Sequence, residues 1–294
     1  MTGHITFSNL LHSQGIDPDE VIVMRHRPYE PELNRVFAWL ASERHDLFTA
    51  YQSAHFVKAE SALKKAKYLA AFIGHEPGKA LFVCLYQIID FTTISYETYW
   101  AIPENQELKA KGMTGWTDIV GRPSTAWFDL KTLDFFANWK GKLVTKWPGL
   151  ERSWYRWADR NEFEIHSIAE ESLLIKDMEP WDRCTFSWQE LLSLPSRWRT
   201  ELSAWKGIYY IFDTLSGKGY VGSAAGTQNI LGRWLTYAKT GHGGNKGLID
   251  RDADNFRFSI LQRLPDIGLE EVIEFENAWK IRLHSRRPYG LNEN

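Results

Sequence analysis

Cysteine is nearly absent: the 294 residues hold two, Cys84 and Cys184. A disulfide framework is therefore excluded as the source of stability, and Cys84, inside the apolar run "LFVCLYQII", reads as a small buried thiol in a reducing, cytoplasmic setting. Long hydrophobic runs are missing too. No segment approaches the roughly 18 apolar residues that a membrane-spanning helix needs. The opening "MTGHITFSNLLHSQG" lacks the basic stretch, apolar run and small-residue cleavage site of a secretory leader. A soluble cytoplasmic protein with no membrane partner is expected. Charge of one sign is not in excess, with 35 Lys and Arg against 37 Asp and Glu and a formal net charge of −2. That rules out a uniformly basic nucleic-acid binder but not a local basic patch, because charge acts where it is placed. Internal repeats and low-complexity tracts are also missing.

Aromatic side chains are plentiful, with 14 Trp, 12 Tyr and 16 Phe. Flat side chains serve cores, interfaces and base-stacking platforms alike, and the core is their default use. The chain is long enough for two domains of roughly 150 residues, each with an adequate core. In "EPELNRVFAWLASER", Leu33, Val36, Phe37 and Leu40 recur at helical spacing; "SALKKAKYLAAFIG" places Leu63, Ala66, Tyr68 and Leu69 less cleanly in the same way. From Ala80 the texture becomes short apolar or alternating runs, "ALFVCLYQII", "ISYETYWAI", "AWFDL", "KLVTKW" and "FEIHSI", which predict strands in a small barrel or strongly curved sheet. "TFSWQELLSLPSRWRTELSAW" reads as a connector with one or two helical turns, ended near Pro195. These features predict an α+β chain with two domains, a β-rich recognition domain with helices over 1–199 and a second domain over 200–294. The second domain should run strand, turn, strand (Gly207 to Ala224), helix (Asn229 to Thr240), glycine-rich loop, short helix, strand at "NFRFSILQRL", then a helix from Leu269 to His284. From residue 205 onward there are 12 Lys and Arg against 10 Asp and Glu, and before it 23 against 27. This mild basic shift is compatible with phosphate contact.

Several residues of the second domain could carry chemistry. At 100° per residue, "LEEVIEFENAWKIRL" puts Val272, Phe275, Trp279 and Leu283 on one apolar face with Glu276 at its edge. A carboxylate there is costly unless paired, hydrogen-bonded or holding a metal. A salt bridge to a neighbouring Lys or Arg is the plain reading and a metal ligand the sharper one. In "NILGRWLTYAKTGH", Leu231, Trp234, Leu235 and Ala238 form a buried side, while Arg233 and Tyr237, four apart, share a face and can point at one place. Tyr209 and Tyr220, on the two arms of "GIYYIFDTLSGKGYVG", make at minimum a cross-strand aromatic pair.

Taken in order, Gly207-Ile208-Tyr209, Tyr220-Val221-Gly222, Arg233, "HGGN", Glu276 and Gly290-Leu291-Asn292 resemble the GIY-YIG nuclease family over roughly residues 205 to 293. The resemblance implies a small three-stranded antiparallel sheet flanked by helices, and a DNA endonuclease that hydrolyses phosphodiester bonds with one Mg²⁺ or Mn²⁺. It further implies that Glu276 is the protein's metal ligand, waters and phosphate oxygens filling the rest of a hard cation's shell. Arg233 would hold the scissile phosphate in bidentate fashion, and Asn292 would order the site. Either Tyr209 or Tyr220 would face the attacking water and serve as general base if the metal and the arginine lower its pKa from about 10. His242, Asn245 and Lys246 occupy a loop and short helix start suited to DNA phosphate or to loop capping. Tyr237 stands where relatives carry a histidine.

The first two hundred residues resemble, in texture, PUA-like barrels including the EVE branch, which take a flipped base into an aromatic pocket. Tyr51, Gln52, Ser53, Tyr86, Trp116 and Trp154 offer the stacking faces and polar groups for such a reader, with core packing as the alternative for each. "ERSWYRWADR" interleaves Arg152, Arg156 and Arg160 with Trp154, Tyr155 and Trp157, fitting either a strand or a nucleic-acid surface. The working expectation is a restriction-like nuclease whose first domain selects a site or a modified base in double-stranded DNA; a repair or mobile-element nuclease and a non-catalytic nucleic-acid-binding scaffold are the alternatives. Cutting both strands with one site per chain would call for a homodimer or sequential nicking.

Overall fold

The computed structural model describes residues 4–115, 123–149, 153–225, 229–249 and 251–293. The chain divides into two compact units, Met1–Lys176 and Asp177–Asn294, both mixing helices with sheet. Among the described residues, the amino-terminal unit has one sheet built from β1 (Val21–His26), β2 (Tyr68–Gly74), β3 (Lys79–Ser95), β4 (Ser124–Leu133), β5 (Leu143–Lys146), β6 (Tyr155–Trp157) and β7 (Ile165–Ile168). The pairing follows the path β6-β1-β2-β3-β5-β7, with β4 on the second half of β3. β1 and β2 run parallel and the other pairs antiparallel. Parallel neighbours require a crossover, here made by α2 (Pro31–Glu43), α3 (His45–Gln52) and α4 (Val57–Leu63). Helix α1 (Phe7–Ser13) precedes β1, and α5 (Tyr96–Ala101) and α6 (Pro103–Ala110) lie between β3 and β4.

Strand alternation splits the core of this unit over two faces. Ile22 and Met24 pack with Leu33, Val36, Phe37 and Leu40 of α2, the apolar side its spacing predicts, whereas Val21 and Val23 join Phe7, Phe72 and Phe82 on the other side. A sheet covered on both faces needs apolar residues at every position, which erases the period-2 signal. That is why "YLAAFIG", expected to continue a helix, is the strand β2, with Leu69 to Ile73 all buried. The reverse happens at "ISYETYWAI": the Ser95 hydroxyl accepts from the Thr98 amide and starts α5, so a predicted strand is a helix.

The carboxy-terminal unit carries β8 (Thr185–Ser187), β9 (Lys206–Asp213), β10 (Lys218–Ala224) and β11 (Phe256–Leu264), with α7 (Trp188–Leu192), α8 (Ser196–Ser203), α9 (Ile230–Thr240) and α10 (Leu269–Arg282). Its sheet is antiparallel, in the order β10-β9-β11-β8. It has four strands where three were expected. The extra strand, β8, precedes the anticipated boundary at 199/200 and pairs with Arg257–Ser259 of β11, so the division between units falls at Lys176–Asp177 instead. Ser187 and Glu190 form a capping box that starts α7 directly after this strand, making a folded element of the presumed connector. Helices cover both sheet faces. Tyr209 and Ile211 pack with Leu231, Trp234 and Tyr237 of α9, and Ile208 and Val221 pack with Val272 and Trp279 of α10. Phe275, assigned to the apolar face of α10, is instead 38% exposed.

β10 lies at the sheet edge and its glycines make room for rings. Gly222 pairs across the hairpin with Tyr209. A Cβ at Gly222 would stand 2.5 Å from Cζ and Oη of Tyr209, a ring with no exposed surface and no free space to retreat into. We expect Gly222→Ala to lower stability by about 1–3 kcal/mol through overpacking; a urea midpoint equal to that of the native protein would refute this account of the hairpin.

Candidate functional site

Tyr209 and Tyr220 are not the cross-strand pair expected: Tyr209 lies opposite Gly222 and Tyr220 opposite Ile211. Tyr209 is fully buried, and its hydroxyl meets the equally buried Tyr237 hydroxyl at 2.9 Å. Tyr220, half-buried, donates to Oδ1 of Asn245 at 2.9 Å, and the Asn245 amide donates to Tyr237. Three phenols and one amide thus form a connected network. Arg233, one turn before Tyr237 on α9, hydrogen-bonds Tyr209. The helix that presents both begins where the Asn229 side chain accepts from the Gly232 amide at 2.7 Å. Arg233 and Tyr237, expected to share a face, both reach Tyr209, and Tyr237 is fully buried because α9 lies on the sheet with Tyr237 packed against Tyr209 and Phe258. The side chain of Ala238 lies outside the described residues.

Glu276 approaches from the other face. Its helix, α10, packs over Val221, and Ser223, two residues further along β10, donates its hydroxyl to Oε2 of Glu276. Oε1 is 2.8 Å from Nζ of Lys280, whose side chain is 6% exposed against 19% for Glu276. The charge of Glu276 is felt by both Tyr209 and Tyr220, as is that of Arg233. The site therefore wraps the β10 edge, with phenols and guanidinium on the α9 side and the carboxylate on the α10 side. Asn292 is docked on the same strand, accepting from the Val221 amide at 2.9 Å and donating to its carbonyl at 2.8 Å. His242 accepts from the Gly244 amide at 2.9 Å within its own loop, and Lys246 opens a single 3-10 turn with its side chain exposed.

Burial pushes the Tyr209, Tyr220 and Tyr237 hydroxyls above the ordinary tyrosine value. At Tyr209 the Arg233 charge opposes the shift without reversing it; at Tyr237 the neighbouring Tyr209 and Tyr220 reinforce it. The expected lowering by arginine is thus outweighed in the protein alone, and the three phenols are protonated donors at neutral pH. Ser223 was missed in the sequence, and the salt bridge that was the plain reading of Glu276 is made by Lys280, which was not named there. Lys280 had a signal, since a lysine four residues after a glutamate on a helix is a favoured pair. Ser223 had none, because its partner is 53 residues away.

The amino-terminal unit holds a cavity of about 390 Å³ lined by His26, Tyr29, Tyr51, His55, Tyr99 and Trp154, among others. Of the expected base-reading residues, Tyr51 and Trp154 line it. Gln52, Ser53 and Tyr86 are buried in the core, and Trp116, like Arg152, lies outside the described residues. Glu30 is on the wall, with its Oε1 accepting from the Thr114 amide and hydroxyl at 3.1 and 2.8 Å. His26 and His55 stack with ring centroids 5.8 Å apart and planes at 20°, and both touch Trp154. Burial and the neighbouring His55 bring His26 down to about 3, and burial brings His55 to about 4. Both imidazoles are therefore neutral, and the part of the wall they form with Trp154 presents flat, uncharged faces beside the charged Arg25, Arg27 and Glu30.

No family model matches the chain, and no curated protein matches it. Among solved structures, the catalytic domain of the homing endonuclease I-TevI matches at 30% identity, over 30% of this chain and 98% of that one, with a TM-score of 0.26. A mutant of the same catalytic domain, that of an intron endonuclease, matches at 31% identity, over 31% of this chain and 94% of that one, also with a TM-score of 0.26. No helix among the described residues is long and apolar enough to cross a membrane.

The histidine pair makes stability depend on pH with a definite sign. Below about 6.5 the unfolded chain protonates both imidazoles, whereas the folded chain resists until about 4 and 3. Stability is thus complete above about pH 6.5 and falls with acidification, by up to about 1.4 kcal/mol per pH unit for each histidine. Urea unfolding at pH 7.5 and 5.0 should show this loss, reduced in His26→Leu; a profile unchanged between those two pH values in the native protein would contradict it.

Proposed function

We propose that this chain is a divalent-cation-dependent DNA endonuclease of the GIY-YIG type, with its hydrolytic site at the β10 edge. The observation that carries this reading is that one edge strand, β10, holds both halves of the site: Tyr220 joins the hydrogen-bonded network of Asn245, Tyr237 and Tyr209, and Ser223, three residues on, holds the Glu276 carboxylate. The ordered motif that resembles the GIY-YIG family supports it, since the residues that carry the resemblance are the ones that meet.

The donor set suits a hard cation. Among the described residues there is no group of three or more His, Cys, Asp or Glu placed to enclose a metal. A single partly exposed carboxylate remains, and Mg²⁺ commonly uses one or two carboxylates, substrate phosphate and retained waters. Glu276 would hold Mg²⁺ or Mn²⁺, with Ser223 orienting the carboxylate. When bound, the cation supplies Lewis-acid stabilisation of phosphoryl oxygens and a more acidic water. Arg233 binds a non-bridging phosphate oxygen and offsets the charge that develops there. Tyr220, the less buried of the two, would turn its hydroxyl from Asn245 towards the attacked phosphate, while Tyr209 stays buried beside Arg233 and Tyr237; a proton passed through either phenol works against the upward shift that burial imposes, which the charges of Arg233 and the cation would offset. Asn292 fixes the β10 edge. Asn245 ties the loop to the phenols, and His242 and Lys246 lie on that loop where DNA phosphate would pass.

The cavity of the amino-terminal unit supports a second role, selection of a DNA base as in PUA-like modules. An unstacked base needs aromatic faces and a few polar groups for its edge. Tyr51, Tyr99 and Trp154 offer the former, Glu30 and the neutral imidazoles the latter. A base carrying a modification fits a restriction-like nuclease that acts on modified double-stranded DNA, as a homodimer or by successive nicks.

Purified protein incubated with plain and cytosine-modified duplexes, with Mg²⁺ or with EDTA, tests both parts. Cutting should require Mg²⁺ and favour the modified duplex. Glu276→Ala should lower the rate by at least about 10²-fold, the scale of losing one pre-placed electrostatic partner of a transition state. Absence of metal-dependent cutting on every duplex would favour a nucleic-acid-binding scaffold, and equal rates on the two duplexes would remove the modified-base role alone.

A further inference from the structure

Glu276 has both carboxylate oxygens engaged before any cation arrives. Oε1 is paired with Lys280 at 2.8 Å and Oε2 accepts from Ser223. Lys280 is the more deeply buried partner, with a side chain 6% exposed, and an ammonium in such a place is costly without a counter-charge. One helical turn locks the two together. A divalent cation approaching Glu276 must therefore take an oxygen from an ammonium that cannot retreat into water, and it meets like charge as it does so.

Building on the nuclease reading, we propose that Lys280 is a positioning residue, the resident counter-ion of Glu276 that keeps the DNA-free protein from holding a divalent cation. A phosphodiester resolves the competition. Its anionic oxygens offset the positive charge that ammonium and cation bring together and give the cation an additional ligand, so cation and phosphate load together. Cation loading then depends on substrate, and the free protein carries a neutral ion pair in place of an idle metal. Nothing in the other proposed site residues does this: Arg233 is bonded to Tyr209 on the α9 side, and Arg282, the other cation in the last turn of α10, lies over the ring of Trp279.

Mn²⁺ binding to the full-length protein without DNA, followed by electron paramagnetic resonance, tests this independently of cleavage. The native protein should bind Mn²⁺ weakly, and dimethyl phosphate, a diester that presents no cleavable DNA, should tighten that binding several-fold. Lys280→Met should bind Mn²⁺ at least tenfold more tightly without phosphate, gain little from dimethyl phosphate, and lose the site when combined with Glu276→Gln. Lys280→Arg should behave like the native protein. Equal affinity in native and Lys280→Met protein overturns the proposal, as does a gain that survives Glu276→Gln. If Lys280→Met does not fold, the native protein decides: tight Mn²⁺ binding without phosphate that is lost in Glu276→Gln overturns the proposal, and a phosphate-dependent Glu276 site upholds it. Cutting DNA while failing these tests removes the role of Lys280 and leaves the nuclease reading standing; passing them without cutting does the reverse.

Discussion

The Tyr209 ring lies against the bare backbone of Gly222, and this contact sets where everything else in the carboxy-terminal unit can go. With no Cβ on the opposing strand, the ring occupies the hairpin surface and its hydroxyl reaches Tyr237. Tyr237 then anchors α9 and, through Asn245, the glycine-rich loop, while Tyr220 closes the network from the same strand. The hairpin glycines are the space that an aromatic residue needs inside a sheet covered by helices on both sides. Position on the edge strand completes the design, because only an edge lets groups from two faces converge.

Burial governs the chemistry in both units, with opposite consequences. Around Tyr209 it keeps phenols protonated and makes the nearby guanidinium and carboxylate matter more than they would in water. At Glu276 it forces a pairing, since neither the carboxylate nor Lys280 is well hydrated. In the amino-terminal unit it strips charge from His26 and His55, leaving neutral rings on the part of the cavity wall they share with Trp154.

Legibility varied with how much each element relies on its own periodicity. α2, α9 and the β9–β10 hairpin are amphipathic or alternate against a turn, so their local pattern already names the buried side. β2 is apolar on both faces and mimics a helix; α5 depends on one serine cap; β8 is three residues long and makes sense only beside β11. Phe275 was misplaced because helical phase predicts a face but not how far the neighbouring sheet extends beneath it.

The sequence by itself determined the order of the motif residues and the helices and strands that bear them, since backbone periodicity and capping act over a few residues. Only the tertiary structure decided that Tyr237 turns inward, that Asn292 docks on Val221, and that Ser223 and Lys280 occupy both oxygens of Glu276. Likewise, His26 and His55 come together in the first unit across the two helices α2 and α3. Except for the Glu276–Lys280 turn, these contacts join residues far apart in the chain. Their partners are chosen by sheet register and by which face a helix lays on the sheet, and neither is written in any short stretch of residues.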